Sequence, residues 1–193
     1  MIPFFLVFLV FGVYANSLSN GFVSDDIPGI VQTAHTWTFP MSAVTGTVIH
    51  ANILVWYVIH ALVGLSPWAY RLVNIACHAV SVILVYKIVF QLVHRKDFTR
   101  AAGVCPERSR RIAFLASALF AVHPIIIESV TWIAGGVYTQ YGMVFLLSFY
   151  FYIKGRELED GTSRMVVEGR GSRRAENREQ ITDSRKQMGY YLA

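Results

Sequence analysis

The sequence predicts an all-α, polytopic membrane bundle: about four transmembrane helices, plus one helix lying in the membrane plane within the first extracytoplasmic loop. Three observations predict it. Of the 193 residues, 54% are hydrophobic and 14% aromatic, too apolar for a typical soluble domain. The apolar residues gather into five stretches, 2–15, 43–63, 68–93, 112–127 and 137–153. Charge is segregated: 15 of the 17 Lys and Arg residues fall in 94–111 and 154–186, outside which only Asp25, Asp26, Arg71, Lys87 and Glu128 are charged. The net charge of +5 therefore reports loops flanking a lipid bilayer, and no nucleic-acid partner is expected.

The elements follow in chain order. Residues 2–15 are short against the roughly 20 a bilayer core requires, and they also resemble a signal-peptide core ending in Val13-Tyr14-Ala15. Under either reading the next segment lies outside. If all five stretches crossed, the two basic loops would lie on opposite faces, against the positive-inside pattern. Laying 43–63 in the membrane plane puts both loops on the cytoplasmic side. Gly46, His50, Tyr57, His60 and Gly64 then share one wetter face. A plain transmembrane helix with two histidines against its neighbours is the alternative.

Ser66-Pro67 marks a turn from which Trp68 opens a long helix, with Lys87 placed to snorkel and His94-Arg95-Lys96 ending the crossing. His123-Pro124 interrupts the return segment, and Gly135-Gly136 breaks the chain again before 137–153. The basic segments, including Cys105 to Arg111, read as solvated and disordered insertions. The domain expectation is a membrane domain over 1–153 with an insertion at 94–111, a disordered segment at 154–187, and the start of a further helix at 188–193. Cys77 and Cys105 occupy environments too different for a disulfide or a metal pair.

This topology brings Asp25, Asp26, Arg71, His123, Glu128 and Trp132 to one level at the outer ends of separate helices, which suggests a polar cavity. Asp25 or Asp26 would act as a general base, taking a proton from an acceptor hydroxyl. The same acids would alternatively cap the following segment or pair with Arg71. Arg71 would hold a phosphate in a forked contact, or snorkel at its helix end. His123, Glu128 and Trp132 are candidates for substrate contact, and Glu128 would otherwise pair with Arg71 or His123. Arg71, Asn74 and His78 share one helical face, where Asn74 and His78 serve equally well to join helices. No metal ligand set is apparent; a divalent cation between the paired acids remains open for want of a third ligand.

Asn20 to Asp26 (NGFVSDD), Gly64 to Tyr86 (GLSPWAYRLVNIACHAVSVILVY) and Ala118 to Gly135 (ALFAVHPIIIESVTWIAG) together resemble the N-terminal part of the GT-C-fold membrane glycosyltransferases. The likeness is to the protein O-mannosyltransferase-like enzymes, which include the transmembrane, tetratricopeptide-repeat mannosyltransferases. That resemblance implies a polyprenyl-phosphate-linked sugar as donor and an acidic residue of the first extracytoplasmic loop, here Asp25 or Asp26, at the reaction centre. It also implies in-plane helices in that loop, and site-lining positions at His123 and Glu128. Two departures stand out: Phe39 precedes Pro40 where relatives often carry Arg, and Arg71 stands where many carry His. Family enzymes continue through more helices, so the expectation is the N-terminal portion of such an enzyme. A noncatalytic membrane protein, either a remnant or a helical assembly partner, is the competing expectation, and a transporter a weaker third.

Overall fold

The structure is a computed structural model that describes residues 1–34, 49–94 and 105–159. These residues form an all-α membrane protein. The chain divides into two compact units, Met1–Tyr150 and Phe151–Ala193.

Helix α1 spans Ile2–Tyr14, with Pro3 in its first turn, and continues through a 3-10 segment, Ala15–Ser19. Leu6, Val10 and Tyr14 recur every four residues and are buried on one face, while Phe4, Phe5 and Phe8 point outward. A single π-helical turn, Ile27–Val31, follows the loop of residues 20–26. Helix α2 covers Ile49–Val63 and ends at Gly64, whose φ of +71° places it in the left-handed region that glycine favours at a helix C-terminus. The helix is short and apolar, and residues 43–48 of the stretch expected to lie in the membrane plane are outside the described residues. Val55, Trp56 and Ile59 pack toward Ala69 and Tyr70. The expected wetter face is not the outward one: Leu54, Val58 and Leu62 are exposed, whereas Tyr57 and His60 are half-buried. Gly46 and the side chain of His50 lie outside the described residues.

Helix α3, Pro67–His94, and the α1 segment Ile2–Ser19 are long and apolar enough to cross a membrane. Helix α4, Pro106–Val122, together with Pro124–Thr131 makes a third candidate span, bent by 48° at His123. Residues 136–150 close the first unit as a helix, and 151–159 of the second are helical as well. The disordered segment expected from residue 154 therefore begins as helix, with Arg156 and Glu159 paired on its surface at 3.5 Å. The rest of that segment and residues 188–193 lie outside the described residues.

A second correction concerns residues 105–111, expected as a disordered insertion. Residues 106–111 are the first turns of α4, opened by Pro106 and Glu107, with Arg111 reaching Glu107 at 2.9 Å one turn on. Ser109 joins Ala113, Ser117 and Ala121 in a stripe of small, fully buried residues at four-residue spacing. Small side chains let helix backbones approach closely where lipid supplies no hydrophobic drive between helices. The contact between α3 and α4 is more extensive than those α1 makes with either of them.

The bend at His123 has a definite hydrogen-bond accounting. Pro124 brings no N–H, and the Ile125 N–H that would meet the Ala121 carbonyl donates instead to His123 Nδ1, at 3.3 Å. Two side chains from other helices take over that carbonyl: the Tyr14 hydroxyl at 3.2 Å and His78 Nε2 at 3.1 Å. Because a carbonyl only accepts, His78 carries its proton on Nε2. The helix break and the histidine are thus one feature, and it holds α1, α3 and α4 together.

Candidate functional site

The loop of residues 20–26 is closed on itself by Asp26. The Asp26 N–H donates to the Val23 carbonyl at 3.0 Å, and the Val23 N–H donates back to Asp26 Oδ2 at 3.1 Å. The closure places Ser24 at φ +47°, in the left-handed region, so its backbone is strained for a non-glycine residue. Asp26 is fully buried, and its second oxygen, Oδ1, accepts the Ala134 N–H at 2.8 Å, 108 residues away.

The other wall of the site is the short helix α5, Ile127–Thr131, and the turn that follows it. A helix end leaves carbonyls without helical donors. Here α3 supplies them: Arg71 Nε donates to the Thr131 carbonyl at 2.9 Å and Asn74 Nδ2 to the Trp132 carbonyl at 3.4 Å. Arg71 is 1% exposed, and its remaining two nitrogens donate to the carbonyls of Asn20 and Gly21. One guanidinium thus joins the loop to the turn, with Asp26 as the carboxylate that acts on it electrostatically. Gly136 is required at the next position, because a Cβ there would lie 2.1 Å from the Asn74 side chain.

Between these walls lies a cavity of about 450 Å³, lined by Asn20, Val23, Ser24, Arg71, Glu128, Thr131 and Trp132. Of the six residues expected at one level, it brings three together as lining: Arg71, Glu128 and Trp132. The Glu128 carboxylate is exposed there, and the Trp132 indole N–H is buried without a hydrogen-bond partner among the described residues. The two acids part company. Neither lines the cavity: Asp26 is buried, and Asp25 is exposed next to the lining residue Ser24, whose hydroxyl donates to its Oδ1 at 3.2 Å. His123 does not line the cavity; it caps the 3-10 turn Pro124–Ile126 at the far end of the broken segment.

Asn20, Ser24 and Thr131 are lining residues that sequence reasoning passed over. For Ser24 the available signal was its place directly before the paired acids; Thr131 enters through a helix end that sequence leaves undefined. Among the described residues no group of three His, Cys, Asp or Glu side chains is placed to share a cation. Both Asp26 oxygens accept from backbone N–H groups, which commits that carboxylate to the fold.

No family model matches the chain, and no solved structure matches it. Curated relatives do. A protein O-mannosyl-transferase of Caenorhabditis elegans is 37% identical over 93 residues, 48% of this chain and 12% of the relative. Protein O-mannosyl-transferase Tmtc3 of Drosophila melanogaster is 35% identical over 105 residues, 51% of this chain and 11% of the relative. Protein O-mannosyl-transferase TMTC3 of Homo sapiens is 27% identical over 167 residues, 78% of this chain and 17% of the relative. The chain thus spans less than a fifth of the length of these relatives. Over that stretch, the family this membrane protein resembles is that of the TMTC-type protein O-mannosyl-transferases.

Proposed function

We propose that the cavity between residues 20–24 and 128–132 is the donor-side part of a glycosyltransferase centre on the extracytoplasmic face of a multi-pass membrane protein. The donor is a polyprenyl-phosphate-linked sugar, with mannose favoured by the names of the relatives. One observation carries the reading: a cavity at the ends of separate helices holds an exposed carboxylate, Glu128, and an indole N–H without a partner among the described residues, and the exposed Asp25 is hydrogen-bonded to the lining residue Ser24. Those groups suit a ligand with hydroxyls to orient and a proton to remove.

In the proposed step the oxygen of an acceptor hydroxyl attacks the anomeric carbon. The bond from that carbon to the phosphate oxygen breaks, polyprenyl phosphate leaves with the electron pair, and the hydroxyl proton passes to Asp25. Asp25 is preferred to Asp26 because both oxygens of Asp26 are already engaged. Asp26 and Arg71 position the loop, with Arg71 forming the cavity wall near the phosphate, and Glu128 and Trp132 contact the sugar.

The test is titration of the reconstituted chain with polyprenyl-phosphate mannose, alongside transfer to a hydroxyl acceptor by a longer protein carrying the same segment. Glu128→Gln should weaken donor binding, and Asp25→Asn should abolish transfer while leaving binding in place. Unchanged binding and transfer in both variants would remove this reading. A noncatalytic membrane protein is the second reading, favoured by the commitment of Arg71 and Asp26 to backbone groups; it predicts no donor binding.

A further inference from the structure

A second cavity, of about 540 Å³, lies at the opposite end of α4, between the first turns of that helix and the start of α1. Its apolar floor is Ile2, Phe5 and Phe114, the two phenyl rings meeting at 5.7 Å between centroids, and its rim carries Glu107, Arg110 and Arg111. At 1.5 Å per residue, Glu107, Arg110 and Arg111 lie roughly 20 Å along α4 from the bend at His123, so this rim is no part of the site above.

The two rim arginines differ. Arg111 is paired with Glu107, whereas Arg110 is exposed and has no ion-pair partner among the described residues. Exposed guanidinium groups that line one cavity with two phenyl rings, at the ends of two candidate membrane spans, match a ligand that is anionic at one end and apolar at the other. A free phosphate ion would use the arginines and leave the rings idle. A neutral lipid would use the rings and leave the arginines idle.

We propose that this cavity is a binding site for an anionic glycerophospholipid of the surrounding bilayer. Its phosphate sits between Arg110 and Arg111, and an acyl chain lies along Phe5 and Phe114. Glu107 competes with the phosphate for Arg111 and so sets the affinity.

The test is native mass spectrometry of the whole 193-residue chain in micelles, titrated separately with dioleoylphosphatidylglycerol, dioleoylphosphatidylcholine and soluble glycerol 3-phosphate. The anionic lipid should be retained about tenfold more strongly than the zwitterionic one, and glycerol 3-phosphate should neither bind nor displace it. The double variant Arg110→Gln, Arg111→Gln should fall to the phosphatidylcholine level. Arg110→Gln alone should also weaken retention, whereas Arg108→Gln, which removes one charge from the same turns off the cavity, should change retention less than about twofold. Glu107→Gln should strengthen retention, a change that misfolding does not mimic. Equal loss in Arg108→Gln would mean diffuse attraction to a basic segment, equal retention of both lipids would mean ordinary annular lipid, and displacement by glycerol 3-phosphate would mean a free-anion site. Each of these overturns the proposal, as does weaker retention in Glu107→Gln.

Discussion

Replacing Arg71 with alanine is expected to unlatch the loop of residues 20–26 from the turn after α5. The guanidinium is 1% exposed and donates to the carbonyls of Thr131, Asn20 and Gly21, so its removal leaves all three without that donor. A buried polar group stripped of its partner costs about 1–3 kcal/mol, less where water enters the gap. Asp26, fully buried, also loses the favourable field of the guanidinium charge. These terms overlap, because one relaxation of the loop relieves both. A net loss of about 2–4 kcal/mol is expected, a large part of the roughly 5–15 kcal/mol available to a domain. Arg71→Lys keeps the charge and loses the fork, and should cost about 1–3 kcal/mol. The assay is reversible unfolding of the reconstituted chain, with amide exchange read separately over 20–26 and 131–136. Exchange should rise at both segments together in Arg71→Ala. A variant that loses under 1 kcal/mol, or that loosens one segment alone, would refute the latch.

The paired acids should separate in the same assay. Asp26→Asn sets an amide N–H₂ against one of its two backbone donors and should cost about 2 kcal/mol, while Asp25→Asn should leave stability unchanged. Gly136→Ala drives a Cβ into Asn74 and should destabilise by about 1–3 kcal/mol; Asn74→Ala in that background should recover part of the loss. Tyr14→Phe and His78→Phe each leave the Ala121 carbonyl one donor and should cost about 1 kcal/mol singly. Together they leave it none, so the double variant should cost more than the sum, a coupling that a double-mutant cycle measures.

The all-helical membrane class was legible from apolar length and charge placement, since both are set by the bilayer and need no tertiary knowledge. The break at His123-Pro124 was legible too, because a missing N–H acts locally; the glycines marked the turn that ends at Gly135, but what excludes a Cβ at Gly136 is Asn74 on another helix. Residues 106–111 misled for a physical reason: their arginines resemble a solvated loop, while the signal for helix lies in the small-residue stripe that begins at Ser109 and becomes visible only once its burial in the bundle is known. The two acids looked equivalent because adjacent residues share composition. Their different fates depend on Ala134, 108 residues from Asp26. Arg71 read equally well as a ligand contact or a helix-end charge, and neither reading anticipates a donor to carbonyls of two separate segments.

The most direct test of the central claim uses a polyprenyl-phosphate mannose bearing a photoactivatable group on the sugar, crosslinked to the reconstituted chain and mapped by mass spectrometry. Adducts confined to residues 20–26 and 128–132, and competed by unlabelled donor, are the predicted result. Adducts spread along the lipid-facing surfaces of α1 and α4, undiminished by competitor, would mean that the cavity does not recognise the sugar and would contradict the account.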